Sequence, residues 1–173
     1  MLRGQGRYHD LTIIGLRGLF GYGAVHNPDD QIIKLIRCGV RPIIAVSDQC
    51  REVKRVLAAY NGSPASVMAM KRFAQLRLWP SAALKLACFE FNEEAATPLL
   101  IEAARYLRAH GYEPEAESLP GSAKKHLLTH ALEWDADLVM MGSTYRGRIA
   151  KLMVGETTQE VLMHADMPLF LSQ

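Results

Sequence analysis

Two short stretches carry the residues whose types and spacing suit chemistry. The first is Asn61-Gly62-Ser63-Pro64. The second leaves an apolar run, Leu138 to Met141, at Gly142-Ser143-Thr144, crosses a basic loop containing Tyr145, Arg146, Gly147, Arg148 and Lys151, and reaches Gly155-Glu156-Thr157-Thr158. An apolar run that stops at a glycine and passes through a polar turn into a helix start has the shape of a phosphate site in an α/β protein. Free backbone N–H groups and the positive end of the helix dipole converge there. Arg146, Arg148 and Lys151 could hold a phosphate or form a solvated basic face. Glu156 suits the helix dipole but competes with a polyphosphate.

Other chemical readings are weaker. His126 and His130 lie four apart on a predicted helix, a spacing that can ligate a metal, but no third ligand accompanies them and no metal is predicted. Ser63 is not in a G-x-S-x-G elbow and has no assignable Asp or His partner, so no catalytic residue is assigned. Asp135 and Asp137 stand at the amino end of a strand, which is the wrong end of such a sheet for catalysis.

The elements that must position these stretches follow from apolar patterning. Short apolar runs predict buried strands over 11–14 and 42–46, with a helix between them that starts near Pro28, shows an apolar face at Ile32, Ile33, Leu35 and Ile36, and stops at Gly39. After a polar linker, strands are predicted over 53–60, 83–91, 112–118, 138–141 and 168–171. The third of these is alternating and polar, hence near an edge. Helices are predicted over 63–76 (Ser63 as N-cap, Pro64 first in the helix), from Glu93 or Thr97 to His110 with Pro98 in the first turn, after Gly121-Ser122, and over 157–164. Trp79 is expected to pack under the basic loop. The alternation of strands and helices with short connections predicts an α/β fold: a doubly wound, parallel five-stranded sheet with helices on both faces.

Composition sets outer bounds. The 173 residues suit one domain plus an appendage, and a formal net charge of +2 gives no reason to expect a nucleic-acid partner. Three dispersed cysteines, Cys38, Cys50 and Cys88, without a CxxC, read as reduced thiols of a cytoplasmic protein. The absence of an apolar leader or a long apolar run argues against secretion and membrane spanning.

The chain also echoes itself. Asp10-Leu-Thr-Ile-Ile-Gly15 resembles Asp137-Leu-Val-Met-Met-Gly142, 127 positions on, and Pro42 to Ser47 resembles Pro168 to Ser172, 126 positions on. Two matches at nearly one offset indicate a duplicated unit of which only the final third stands at the N-terminus. The expected organisation is a partial module over 1–49 and a complete one over 50–173.

On these residues the chain resembles the universal stress protein family, over 53–173 as a module and 8–47 as the tail of another. Nucleotide-binding members carry Gly, two residues, Gly, nine residues, then Gly followed by Ser or Thr. Gly142 and Gly155 match, while Tyr145 replaces the middle glycine and Glu156 the hydroxyl residue, with Thr157 adjacent. The acid that meets the adenosine in such members falls on Asn61, and Gly62-Ser63 is retained. The resemblance implies an adenine-nucleotide α-hydrolase-like fold and ATP or AMP as ligand, at a degenerate site built from Asn61, Gly62, Ser63, Gly142, Ser143, Arg146, Gly147, Gly155 and Thr157. It also implies that last strands of two modules meet antiparallel. The strand 42–46 would then add beside 168–171, with 11–14 beyond it, as an intrachain pseudo-dimer or a homodimer. The expected role is a stress-response module that acts by binding a nucleotide or a protein partner. The competing readings are a slow nucleotide hydrolase in the same cleft and a dimerisation module without a ligand.

Overall fold

The computed structural model describes residues 9–15, 42–46, 50–90, 92–143, 145–146 and 153–173. The helix expected between Pro28 and Gly39, and the loop residues Gly147, Arg148 and Lys151, lie outside them. The apolar runs form β1 (Thr12–Gly15), β2 (Ile43–Val46), β3 (Arg55–Ala59), β4 (Ala83–Phe89), β5 (Glu115–Leu119), β6 (Leu138–Gly142) and β9 (Leu169–Ser172). They make one seven-stranded sheet in the order β1-β2-β9-β6-β3-β4-β5. From β9 to β5 every pairing is parallel, and β3 lies beside β6, as a binding crevice between the first and fourth strands of the module requires. The polar β5 is an edge, as its alternation predicts. Two further short strands, β7 (Tyr145–Arg146) and β8 (Met153–Val154), pair antiparallel as a separate ribbon where a loop was expected.

Helices α1 (Pro64–Leu76), α2 (Glu93–Ala109), α3 (Ala123–Glu133) and α4 (Glu156–His164) cover the sheet. One core layer joins Ala69, Met70 and Phe73 of α1 and Leu100, Ala104 and Leu107 of α2 to Val56, Leu86, Met140 and Phe170. The opposite layer joins Leu127 and Ala131 of α3 and Val161 and Leu162 of α4 to Leu57, Ala87, Val139 and Leu169. Period-2 alternation along each strand sends neighbouring residues to opposite layers. Asn92 begins α2, its side-chain oxygen accepting from the N–H groups of Glu94 and Ala95. Pro98 therefore stands a turn further in than expected, within the helix. Ser122 occupies the N-cap position of α3, but its hydroxyl makes no capping bond. Trp79 stacks on Phe73 at 6.1 Å against the first core layer, while most of the basic loop it was expected to pack under lies outside the described residues.

β2 runs antiparallel to β9, pairing Ile43 with Leu171, Ile44 with Phe170 and Ala45 with Leu169. β1 runs parallel to β2 in the register Thr12↔Ile43 to Gly15↔Val46. β6 and β9 pair Val139↔Leu169 to Gly142↔Ser172, so the echo in sequence recurs position for position. Even the bond at the strand start repeats: the Thr12 N–H donates to Pro42 O at 3.0 Å, and the Val139 N–H to Pro168 O at 3.1 Å. β2 is buried as expected, but β1 is not: Ile13 is 63% exposed, and among the described residues β1 is the outermost strand.

Candidate functional site

The turn after β3 is built from its own side chains. Asn61 Oδ1 accepts from the Ser63 N–H at 3.1 Å, an Asx turn. Gly62 adopts φ +71°, an angle that calls for glycine, whereas the Leu99 methyl that a Cβ would meet at 2.9 Å ends an exposed side chain that can turn aside. Ser63 Oγ accepts from the Ser66 N–H at 3.3 Å and so caps α1, while Ser66 Oγ donates back to Ser63 O at 2.9 Å. Such a cap is worth about 1 kcal/mol. Because Pro64 has no N–H and the Ser63 and Val67 N–H groups are bonded to Asn61 Oδ1 and Ser63 O, these bonds leave the Ala65 N–H of the first turn for a ligand.

The end of β6 meets this turn directly. A Cβ on Gly142 would lie 2.4 Å from the Ala65 carbonyl carbon and 2.5 Å from the Ser66 nitrogen. The two stretches singled out in the sequence are therefore in backbone contact, and Gly142 is the residue that lets the first turn of α1 land on the strand. Ser143 is turned away from that contact. It is buried, its N–H donates to Ser172 O at 2.7 Å, and its hydroxyl donates to the same oxygen at 3.2 Å.

Beyond Ser143 the backbone of Tyr145 lies in β7 opposite Val154, and Arg146 opposite Met153. Tyrosine at this position thus sits in extended backbone, which suits an aromatic residue. Gly155 is the N-cap of α4 at φ −55°, ψ 141°, angles open to any residue, and Thr157 in the first turn is half-buried. Glu156 is held across to α3 by Lys124 Nζ at 2.9 Å. That hydrogen bond, together with the charge of Lys124, lowers the Glu156 pKa and raises that of Lys124. The acid expected to repel a phosphate is therefore paired.

The remaining titratable groups scatter. His130 Nε2 lies 2.5 Å from Glu117 Oε1, whereas His126 is exposed under Gly121, so the two histidines do not converge. Among the described residues no group of three His, Cys, Asp or Glu side chains could hold a metal ion, and no helix is long and apolar enough to cross a membrane. Burial pushes the Tyr60 hydroxyl and the Cys88 thiol upward in pKa. A cavity of about 180 Å³ lies elsewhere, between the last turns of α1 and the starts of β1 and β2, lined by Asp10, Pro42, Arg72, Gln75 and Leu76. Sequence reading missed a charged cluster at the amino end of the sheet. Lys85 lies 3.4 Å from Glu115 and 3.6 Å from Glu117, and Lys85 and Arg55 both lie over the Trp134 ring. The available signal was a lysine interrupting the apolar run of β4.

Residues 52–172 match the sequence model of the universal stress protein family. The chain belongs to the universal stress protein family. It is 27% identical over 161 residues to universal stress protein Slr1230 of Synechocystis, a match covering 92% of this chain and 56% of that protein. The chain thus spans little more than half the length of that curated relative. Among solved structures, a universal stress protein from Archaeoglobus fulgidus DSM 4304 superposes with a TM-score of 0.73 at 18% identity, over 99% of this chain and 63% of that one. A second universal stress protein structure from Archaeoglobus fulgidus gives 0.60 at 19% identity, over 71% of this chain and 100% of that one. At these identities the structures speak for the universal stress protein fold. The second also places a whole chain of that fold within less than three quarters of this one.

Proposed function

We propose that this chain is a stress-response module that acts by binding and not by catalysis. In this reading an adenine nucleotide, ATP or AMP, lies at the carboxyl end of β3 and β6, against Asn61, Gly62, Ser63 and Gly142, while Ser143, expected among the contacts, is buried against Ser172 and only supports the turn. Its phosphates face Arg146, Gly147, Gly155 and Thr157. The observation that carries the reading is the backbone contact between Gly142 and the first turn of α1, which brings a helix N-terminus to the point where the two loops meet. The Lys124–Glu156 pair adds to it, because a neutralised carboxylate repels a phosphate less than a free one. The site is degenerate relative to the family pattern at Asn61, Tyr145 and Glu156, so binding is weak. We further read 1–49 as the tail of a duplicated module and 50–173 as a complete one, cytoplasmic in setting. The β2·β9 seam is then an intrachain pseudo-dimer in place of a homodimer. The matching registers of β1·β2 and β6·β9 favour that division.

Calorimetric titration with ATP and AMP tests the nucleotide reading. Asn61→Asp keeps the oxygen that accepts from the Ser63 N–H and adds a charge for a ribose hydroxyl. It is expected to tighten binding about tenfold, the scale of a hydrogen bond to a charged group. Gly155→Val leaves the backbone angles permitted and is expected to abolish the heat. Absence of heat and thermal shift in both the parent chain and Asn61→Asp would leave only the protein-partner role. Phosphate release that disappears together with binding would instead identify a hydrolase.

A further inference from the structure

The stretch Asp137 to Gly142 serves a neighbour at both of its ends. The Asp137 carboxylate accepts from the N–H groups of Lys54 and Arg55, each at 2.9 Å, and so holds the start of β3. Gly142 admits the first turn of α1. Between these ends β6 pairs with β3 from Val56↔Leu138 to Ala59↔Met141, and Met140, under α1, is 2% exposed. The stretch Asp10 to Gly15 repeats the acid, the apolar run and the glycine, and it pairs with β2 as β6 pairs with β9. Among the described residues β1 has no strand on its other side. Its counterpart of Met140, Ile13, is 63% exposed, and Gly15 is exposed too.

We propose that the outer edge of β1 is an acceptor for a strand–turn–helix unit built like residues 55–76, supplied by a universal stress protein module that lacks its own last third. The incoming strand runs parallel to β1. The positions corresponding to Val56, Leu57, Ala58 and Ala59 pair with Leu11, Thr12, Ile13 and Ile14. The first helical turn lands on Gly15, and the helix covers Ile13. The two edges of the sheet differ in the way this requires. β5 carries two charges that discourage further pairing, Glu115 exposed and Glu117 half-buried against His130 and Lys85, whereas β1 reads Thr-Ile-Ile-Gly with no charge within the strand. The inference rests on the reading of 1–49 as the tail of a duplicated module.

The test joins a second copy of residues 50–136 ahead of Asp10, so that Ala136 leads into Asp10 as it leads into Asp137 in the parent. Amide exchange by NMR is then compared with that of the parent chain. Because the Thr12 N–H is bonded to β2, strand alternation turns the Ile13 N–H to the open side. The Ile13 and Gly15 amides should exchange about tenfold or more slower in the fusion. Gly15→Val should cancel that slowing while leaving the melting temperature of the parent unchanged. Unchanged exchange in the fusion, or slowing that survives Gly15→Val, overturns the proposal. A fusion whose added segment folds by circular dichroism yet leaves β1 unprotected removes the acceptor edge alone. One whose added segment stays unfolded removes the duplication reading as well. A parent chain that is a dimer dissociated by Ile13→Lys would give the edge to a second copy and also overturn the proposal.

Discussion

Glu156 opens α4 with a carboxylate at the positive end of a helix, a place that suits a carboxylate and would suit a phosphate equally. Its partner, Lys124, comes from the first turn of α3, so the pair ties two helix starts together on one layer of the sheet. The pair lowers the Glu156 pKa, so its contribution to stability is present above the ordinary carboxylate value and lost as pH falls through the lowered one. Lys124 is raised, so its contribution is complete below the ordinary lysine value and lost only as pH rises through the higher one. Both side chains are exposed, and the effect on folding is small. Lys124→Met should return the Glu156 titration, followed by carboxyl carbon NMR, to the ordinary carboxylate range. A midpoint unmoved by that change would mean the helix dipole, and not the lysine, sets it.

At the scale of elements, the junction of β6 with α1 does two jobs that a binding assay alone would confuse. Adding a methyl at Gly142 drives it into the backbone of Ala65 and Ser66, which cannot yield as a flexible side chain would. Gly142→Ala is therefore expected to destabilise the fold by about 3 kcal/mol in urea denaturation, the upper part of the range for overpacking. Stability within about 0.5 kcal/mol of the parent would show that α1 can shift off the strand. This junction also shows what the sequence made legible. Ser63, Pro64 and the Gly142 stop are local signals, so α1 and β6 could be placed from them. The polarity of β5 marked an edge for the same reason. Pro98 could not be placed, because Asn92 competed with later positions for the cap and only the tertiary position of α2 decides between them. β1 looked as buried as β2, since an apolar tetrapeptide does not say how many neighbours it has. The β7·β8 ribbon and the Lys85–Glu117 contact join residues whose pairing depends on register, which no single stretch contains.

For the whole molecule, the seam between β2 and β9 is symmetric in a way that predicts assembly. Under the 126-residue echo, Ile43 corresponds to Leu169, Ile44 to Phe170 and Ala45 to Leu171. The pair Ile43↔Leu171 therefore maps onto Leu169↔Ala45, and Ile44↔Phe170 maps onto itself. A two-fold axis normal to the sheet through that central pair is what an isologous contact between two identical strands would have. β2 thus presents to β9 a close likeness of β9 itself. A chain reduced to residues 50–173 keeps the whole region matched by the family model and loses β1 together with β2, the strand that covers β9. Its exposed edge would be Leu169–Ser172, four buried residues without a charge, and an uncovered apolar edge of this kind pairs readily. The shortened chain should dimerise, β9 to β9, about Phe170, whereas the full chain should remain a monomer at the same concentration. Light-scattering mass after size exclusion separates the two, and Leu171→Lys, which meets Leu169 of the other copy, should return the shortened chain to a monomer. A shortened chain that stays folded and monomeric at high micromolar concentration would mean that β2 serves to complete the core and that its likeness to β9 has no part in assembly.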